Sequence, residues 1–363
     1  MTVYHSERRL NMHYENDGAF MEGLRQDYIQ ALVAGSGRAA DLVVETALGA
    51  TVKPQQIYLD LFQPSAYAIG RLWQANRVSV AQEHLATAII ERQMGELYPY
   101  FKNRNATRHT IVLGCVPDEW HRVGVRMVSD FFEAAGWQVH YLGANVPIRE
   151  LVGLARETSA DMVGISAEML FNLPRVGELV RALDAVGLGG IPVIAGGMPF
   201  IEQPELWSAL SLHGSAGDAA AAVATAERVL GDRQIEARPE PAAATALRTH
   251  REEIVAMATA RCLAAGDHDR ALLNAGFGFA TRMLEAALAV GTPTPLGGQA
   301  AWATERQPHD GVAPEEMLSH FAHLNIVLGQ LLPPPESYQA QAYLNYLMDE
   351  TARRAGLPPI PPA

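Results

Sequence analysis

The stretch "DEWHRVG", residues 118–124, follows an apolar run and sets a histidine between an acid and a glycine. A neutral imidazole nitrogen of His121 can ligate a metal if the other ring nitrogen is held by an acceptor. Glu119, two residues earlier, is the candidate that fixes the tautomer, and Trp120 between them joins the cofactor-binding set. Gly124 lets a ligand come close to the backbone. Two later segments end on residues of the same kind: "DMVGISA" carries Ser166, and "IPVIAGG" carries Gly196 and Gly197.

These residues need a frame that brings three distant loops together. Residues 105–232 alternate between apolar runs and amphipathic stretches. "TIVLGCV", "WQVHYLG", "DMVGISA" and "IPVIAGG" read as strands, the first of them β-branched and fully apolar, as in a buried parallel sheet. "VGVRMVSDFFEAAG", "PIRELVGLARETS" and "PRVGELVRALDAVGL" read as the helices between them. The alternation predicts a flavodoxin-like, Rossmann-type α/β domain, which binds ligands at the carboxyl edge of its strands. His121, Ser166, Gly196 and Gly197 all fall on that edge.

The pattern resembles the cobalamin-binding domain of corrinoid proteins, with Asp-x-His-x-x-Gly, then Ser-x-Leu, then Gly-Gly. Here it reads Glu119, His121 and Gly124, then 41 intervening residues to Ser166, then 27 between Glu168 and Gly196. Two positions depart from it: Glu119 stands in place of Asp, and Glu168 in place of Leu. The resemblance implies that His121 is the lower axial ligand of cobalt in place of the cofactor's own base. The displaced tail would then thread past Ser166 and Gly196–Gly197.

Residues 20–104 read as four or five helices, a small bundle with Ser79 as an N-cap and Pro64 as a break or kink. Trp73, nine residues, then Glu83 and His84 resembles the signature of adenosylcobalamin-dependent photoreceptors. The resemblance implies that the bundle caps the corrin and that these three residues line the pocket of the adenosyl group. Trp73 would shield it, and Glu83 would accept from ribose hydroxyls. Glu83 and His84 are adjacent, so a helix directs them to different faces. In the best-known light sensors a histidine follows the tryptophan and takes the upper cobalt position after photolysis. Gln74 stands there, which leaves His84 or water for that role.

Residues 1–19 read as a disordered or extended arm, 233–250 as a Pro/Ala-rich linker, 251–355 as an all-α domain and 356–363 as a tail. Bundle, cobalamin domain and trailing globin-like helices together resemble the photocobilins, light sensors that hold cobalamin and a bilin. This implies biliverdin as a second cofactor, with Phe277, Arg282, His320 and His323 as candidate contacts. Phe279, Arg261 and Arg270 are further polar or aromatic neighbours, and Cys262 is a possible thioether site.

Composition sets limits. A net charge of −12 argues against a nucleic-acid partner, whose phosphates need a basic face. Two cysteines, Cys115 and Cys262, exclude a disulfide framework and a cysteine-rich zinc site. No run of 18 apolar residues appears, so no membrane span is expected, and the polar N-terminus lacks a signal peptide, which predicts a cytoplasmic protein. The combined expectation is a non-enzymatic photoreceptor, a homo-oligomer with light-dependent assembly that signals through a partner protein. The competing expectations are a corrinoid protein for methyl transfer, carrying methylcobalamin, and a structural helical oligomer with a vestigial ligand domain.

Overall fold

The computed structural model describes residues 3–103, 109–231, 236–267 and 269–358, with the backbone alone for 3–17 and 310. The chain forms two compact units: residues 1–106 with 130–136, and residues 107–129 with 137–363.

The first unit holds helices α1 (Val3–Val33), α2 (Gly37–Gly49), α3 (Pro54–Gln56), α4 (Gln63–Gln74) and α5 (Val80–Leu97). Helix α1 takes in most of the stretch expected to be an extended arm, because no proline interrupts it and its first strong stop is Gly35. A π-helical turn, Ile57–Phe62, leads straight into α4. Pro64 therefore sits in the first turn of a helix, where its missing N–H costs nothing, and does not break one. Ser79 caps α5 through a reciprocal capping box with Gln82. The core is aromatic: the Tyr58 ring packs at a tilt against Phe62, Phe101 and Phe131, and its hydroxyl lies 2.9 Å from the buried Asp130 carboxylate.

The second unit is built on five parallel strands in the order β2-β1-β3-β4-β5. They are β1 (Thr110–Cys115), β2 (Gln138–Tyr141), β3 (Met162–Ser166), β4 (Val193–Gly196) and β5 (Gly214–Ala216). Helices α6 (Val123–Ala134), α7 (Ile148–Glu157), α8 (Leu173–Ala185), α9 (Met198–Glu202), α10 (Leu206–Ala209) and α11 (Ala219–Val229) connect and follow them, α6 ending in residues grouped with the first unit. This is the predicted Rossmann-type sheet. Val112, Val163 and Val193 point to one face and join the core of α7 and α8, while Ile111, Leu113, Met162 and Ile194 alternate to the other.

Five helices follow: α12 (Ala242–Ala264), α13 (Arg270–Val290), α14 (Leu296–Arg306), α15 (Pro314–Leu331) and α16 (Glu336–Ala355). Two expectations are corrected here. The second half of the expected linker is helix, since α12 starts at Ala242, directly after Pro241; residues 233–235 lie outside the described ones. These helices also do not separate as a domain of their own: α13 packs on α8 and on the turn Leu170–Asn172, so one core runs from the sheet into them. The last residues of the expected tail, 359–363, lie outside the described ones.

Candidate functional site

Strand register brings Cys115, Ser166 and Gly196 abreast at the carboxyl edge of the sheet. The loop after β1 turns sharply, with Asp118 at φ 65°, and returns Glu119 under the edge. Glu119 has no exposed surface, whereas the His121 side chain beside it is 57% exposed. The Glu119 carboxylate is held on both oxygens. Oε2 accepts from the backbone N–H of Glu168 at 2.8 Å, from that of Met169 at 3.0 Å and from Asn172 Nδ2 at 3.0 Å. Oε1 accepts from His121 Nδ1 at 2.6 Å and from the His121 backbone N–H at 3.1 Å.

Burial alone would raise the Glu119 carboxyl, but the bonds from His121, Met169 and Asn172 overcome it and hold the group at about 2. A carboxylate can only accept, so Nδ1 of His121 carries the proton, and in the neutral ring Nε2 is the nitrogen able to accept or to ligate. The predicted tautomer-fixing pair is therefore present, built on long-range bonds from the β3 loop.

The other edge residues divide. Trp120 is 69% exposed, a large ring standing in solvent next in sequence to the partly exposed His121. A methyl added to Gly124 would meet nothing within 4 Å, so internal packing does not demand that glycine. Gly197 is different: at φ +117° its added Cβ would lie 2.2 Å from the Ala167 carbonyl oxygen. Its glycine is required by the fold itself, whatever ligand approaches. Ser166 is buried at the end of β3, where its carbonyl accepts from Val116.

Glu168, the departure from Leu, accepts from the Met198 backbone N–H at 3.2 Å and so ties the β3 loop to the start of α9; burial raises its carboxyl. Asn172 and Asn145 were not singled out from the sequence. Asn172 donates to Glu119 and to the Asp118 carbonyl, and Asn145 accepts from the Asp118 N–H at 2.8 Å. An asparagine just ahead of "LPRVGEL" is the usual sign of a helix cap, but here its side chain is used on the dyad and makes no cap bond.

In the first unit Trp73 is half-buried near the end of α4, and Glu83 and His84 begin α5. Their adjacency does not keep them apart, as the helical wheel suggested: Glu83 Oε2 meets His84 Nδ1 at 2.6 Å, and Glu83 Oε1 accepts from Thr87 at 3.1 Å. His84 is 74% exposed, with Val80 and Leu85 also exposed on the same helix.

The bilin candidates fall into two sets of contacts. Arg282 lies over the Phe171 ring at 4.0 Å and reaches Asn172 Oδ1 at 3.4 Å. His320 instead bonds Asp267 at 2.7 Å and lies edge-on to the buried Phe277. Burial and Arg261 lower the His323 ring, and burial and Asp267 push the Cys262 thiol up to about 11. A small cleft in this unit is lined by Pro174, Arg181, Glu240 and Ala289, and by none of the bilin candidates.

Comparison with known proteins bears on the sheet edge and on the bundle. Residues 109–226 match the model of the B12 binding domain, and residues 24–98 match a second B12 binding domain model. Both matches support cobalamin binding. Dimethylamine corrinoid protein 1 of Methanosarcina acetivorans is 28% identical over 49% of this chain and 84% of its own length. Dimethylamine corrinoid protein 3 of the same organism is 40% identical over 24% of this chain, and the match spans only 42% of that protein. The HTH-type transcriptional repressor CarH of Myxococcus xanthus is 24% identical over 48% of this chain and 58% of its own length. Among solved structures, the Methanosarcina barkeri monomethylamine corrinoid protein covers 58% of this chain and 98% of its own, at 19% identity and a TM-score of 0.51, a likeness of fold. No described helix is long and apolar enough to cross a membrane.

Proposed function

We propose that this chain holds cobalamin with His121 as the lower cobalt ligand and serves as a methyl-carrying corrinoid protein for partner enzymes. The observation that carries the cofactor part is the buried Glu119 beneath an exposed imidazole. The residues present fit the group: the His121 side chain is more than half exposed with Nδ1 on Glu119, Trp120 offers an uncovered aromatic face, and Gly124 leaves room at the backbone. Cobalamin, when bound, supplies a cobalt whose upper ligand can be exchanged. The chain's own part is to keep the His121 ring in one tautomer and one orientation through Glu119, Asn172 and the β3-loop amides. The names of the curated relatives favour the carrier role over the alternatives.

A second reading is favoured by a specific feature, Trp73 with the Glu83–His84 pair, and by five helices beyond the matched B12 binding domain. In it the cofactor is adenosylcobalamin and the chain is a cytoplasmic light receptor. Its homo-oligomeric assembly changes on illumination and is read by a partner protein, and a biliverdin binds among globin-like C-terminal helices. Such a switch requires the ligand state to change the relative free energy of two assemblies.

One experiment separates the readings. The cobalamin-free chain is offered equal methylcobalamin and adenosylcobalamin in the dark, the retained form is identified, and the mass in solution is measured before and after green light. A carrier keeps methylcobalamin at least as well and does not change mass. Preference for the adenosyl form with a light-driven change of mass overturns the carrier role in favour of the receptor. His121→Ala is the control for the cofactor assignment itself: unchanged affinity and an unchanged spectrum would refute it.

A further inference from the structure

The C-terminal helices gather three residues that the sheet-edge site does not use. Cys262 lies near the end of α12 and Asp267 in the turn that follows, where the Asp267 N–H donates to the Cys262 carbonyl at 3.1 Å. His320 comes from the middle of α15, fifty-three residues further on, and its Nε2 is 2.7 Å from the Asp267 carboxylate. Cys262 Sγ, an Asp267 oxygen and a His320 ring nitrogen all lie within 4.8 Å of one another. Cys262 is buried, and the His320 side chain is only 14% exposed.

We propose that Cys262, Asp267 and His320 form a binding site for a divalent transition-metal ion of the zinc type, separate from the cobalamin site. A thiolate, a carboxylate and an imidazole are the donor types that such an ion prefers. Bonds of about 2.0–2.3 Å place tetrahedral donors roughly 3.3–3.8 Å apart, so the ion would replace the 2.7 Å Asp267–His320 hydrogen bond and draw the more distant donors, within 4.8 Å, inward by up to about 1 Å. An ion pair between Asp267 and His320 would account for those two residues alone, whereas the sulfur of Cys262 completes a set of three.

His323 lies near this cluster but is not one of the three groups that come within 4.8 Å of one another. His323, one turn beyond His320 on α15, has a buried Nδ1 with no hydrogen-bond partner among the described residues. It interacts electrostatically with both Asp267 and His320. As the metal–sulfur bond forms, the Cys262 thiol gives its proton to solvent, and the thiolate and the Asp267 carboxylate together neutralise the dication. Arg261, next to Cys262, adds a positive charge that opposes the ion, which makes two anionic donors necessary.

The test uses the full chain, free of cobalamin, kept reduced, stripped with a chelator and then titrated with zinc. About one zinc per chain is expected by elemental analysis. Cys262→Ala, Asp267→Asn and His320→Gln should each weaken binding by at least about tenfold, while His121→Ala leaves it unchanged. Binding within twofold of wild type in all three variants overturns the proposal, as does loss of zinc in His121→Ala alone. Should the variants fail to fold, the unmodified chain decides: with one equivalent of Co2+, a thiolate-to-cobalt charge-transfer band supports the site, and its absence overturns it. Because His121→Ala reports on the sheet edge alone, failure here is distinct from failure of the cobalamin assignment.

Discussion

Replacing Glu119 by glutamine changes one atom and tests the logic of the dyad. The wild-type carboxylate serves three donors on Oε2 and two on Oε1. A glutamine has one oxygen and one NH2, so one side must be lost. Turning the oxygen toward Glu168, Met169 and Asn172 keeps three bonds; turning it toward His121 keeps two and sets the NH2 against three donors. Each buried donor left without an acceptor costs about 1–3 kcal/mol, so the first orientation is favoured by roughly that amount. The NH2 then faces His121 Nδ1, which must accept, and the proton moves to Nε2, the nitrogen that would hold cobalt. A gap of about 1–3 kcal/mol corresponds to a loss of affinity of roughly 5- to 150-fold, which spans the range seen when a ligand histidine loses its supporting carboxylate. The assay is a spectroscopic titration of Glu119→Gln with cobalamin, following histidine coordination, with Glu119→Asp as the rescue because it restores two acceptors. A folded Glu119→Gln protein that binds within twofold of wild type, with the same coordinated spectrum, would refute the reasoning.

Other outcomes follow from the same geometry. Gly197→Ala drives a methyl onto the Ala167 carbonyl and should cost about 2–3 kcal/mol, lowering the Tm by roughly 4–12 °C in differential scanning calorimetry; an unchanged Tm would mean the turn relaxes freely. Glu240 is held by Arg248, with Arg181 nearby, and its carboxyl sits below the ordinary glutamate range. A depressed folded value gives stability that is present above the unfolded value near 4.3 and is lost as pH falls through the folded one. Glu240→Gln should therefore lower the urea midpoint at pH 7 by the equivalent of about 1–2 kcal/mol, and the gap to wild type should close toward pH 3; a pH-independent gap would show that the charge is not the cause. Trp73→Ala should leave histidine coordination of cobalamin intact while reducing discrimination between adenosylcobalamin and methylcobalamin; equal discrimination would make Trp73 a core residue only.

The sheet was legible because parallel strands buried on both faces leave continuous apolar runs, and "TIVLGCV" maps onto β1 within a residue or two. The start of α12 was not, because "PAAATALRTH" looks like a low-complexity linker. Alanine is also the strongest helix former, and Pro241 suits the position before a helix, so the same letters open α12. At the site, Glu119 and His121 could be read because they are two residues apart. Asn172 could not, since it meets Glu119 across 53 residues of chain and Arg282 across 110. Glu168 was visible as a departure, but its bond to Met198 depends on β3 and β4 lying side by side. Trp73 with Glu83 and His84 was legible as a spacing; that Glu83 and His84 touch follows from rotamers, which no sequence pattern states.

Asn172 is gripped from two directions: its amide nitrogen holds Glu119, and its amide oxygen is reached by Arg282 from α13. The orientation of the imidazole is thus tied, through only two intermediate side chains, to a helix far down the chain. Excising the last hundred residues would not simply trim an appendage. It would untether the asparagine that steadies the carboxylate, and a truncated cofactor domain prepared for convenience would report the axial chemistry of a loosened hinge in place of the native one.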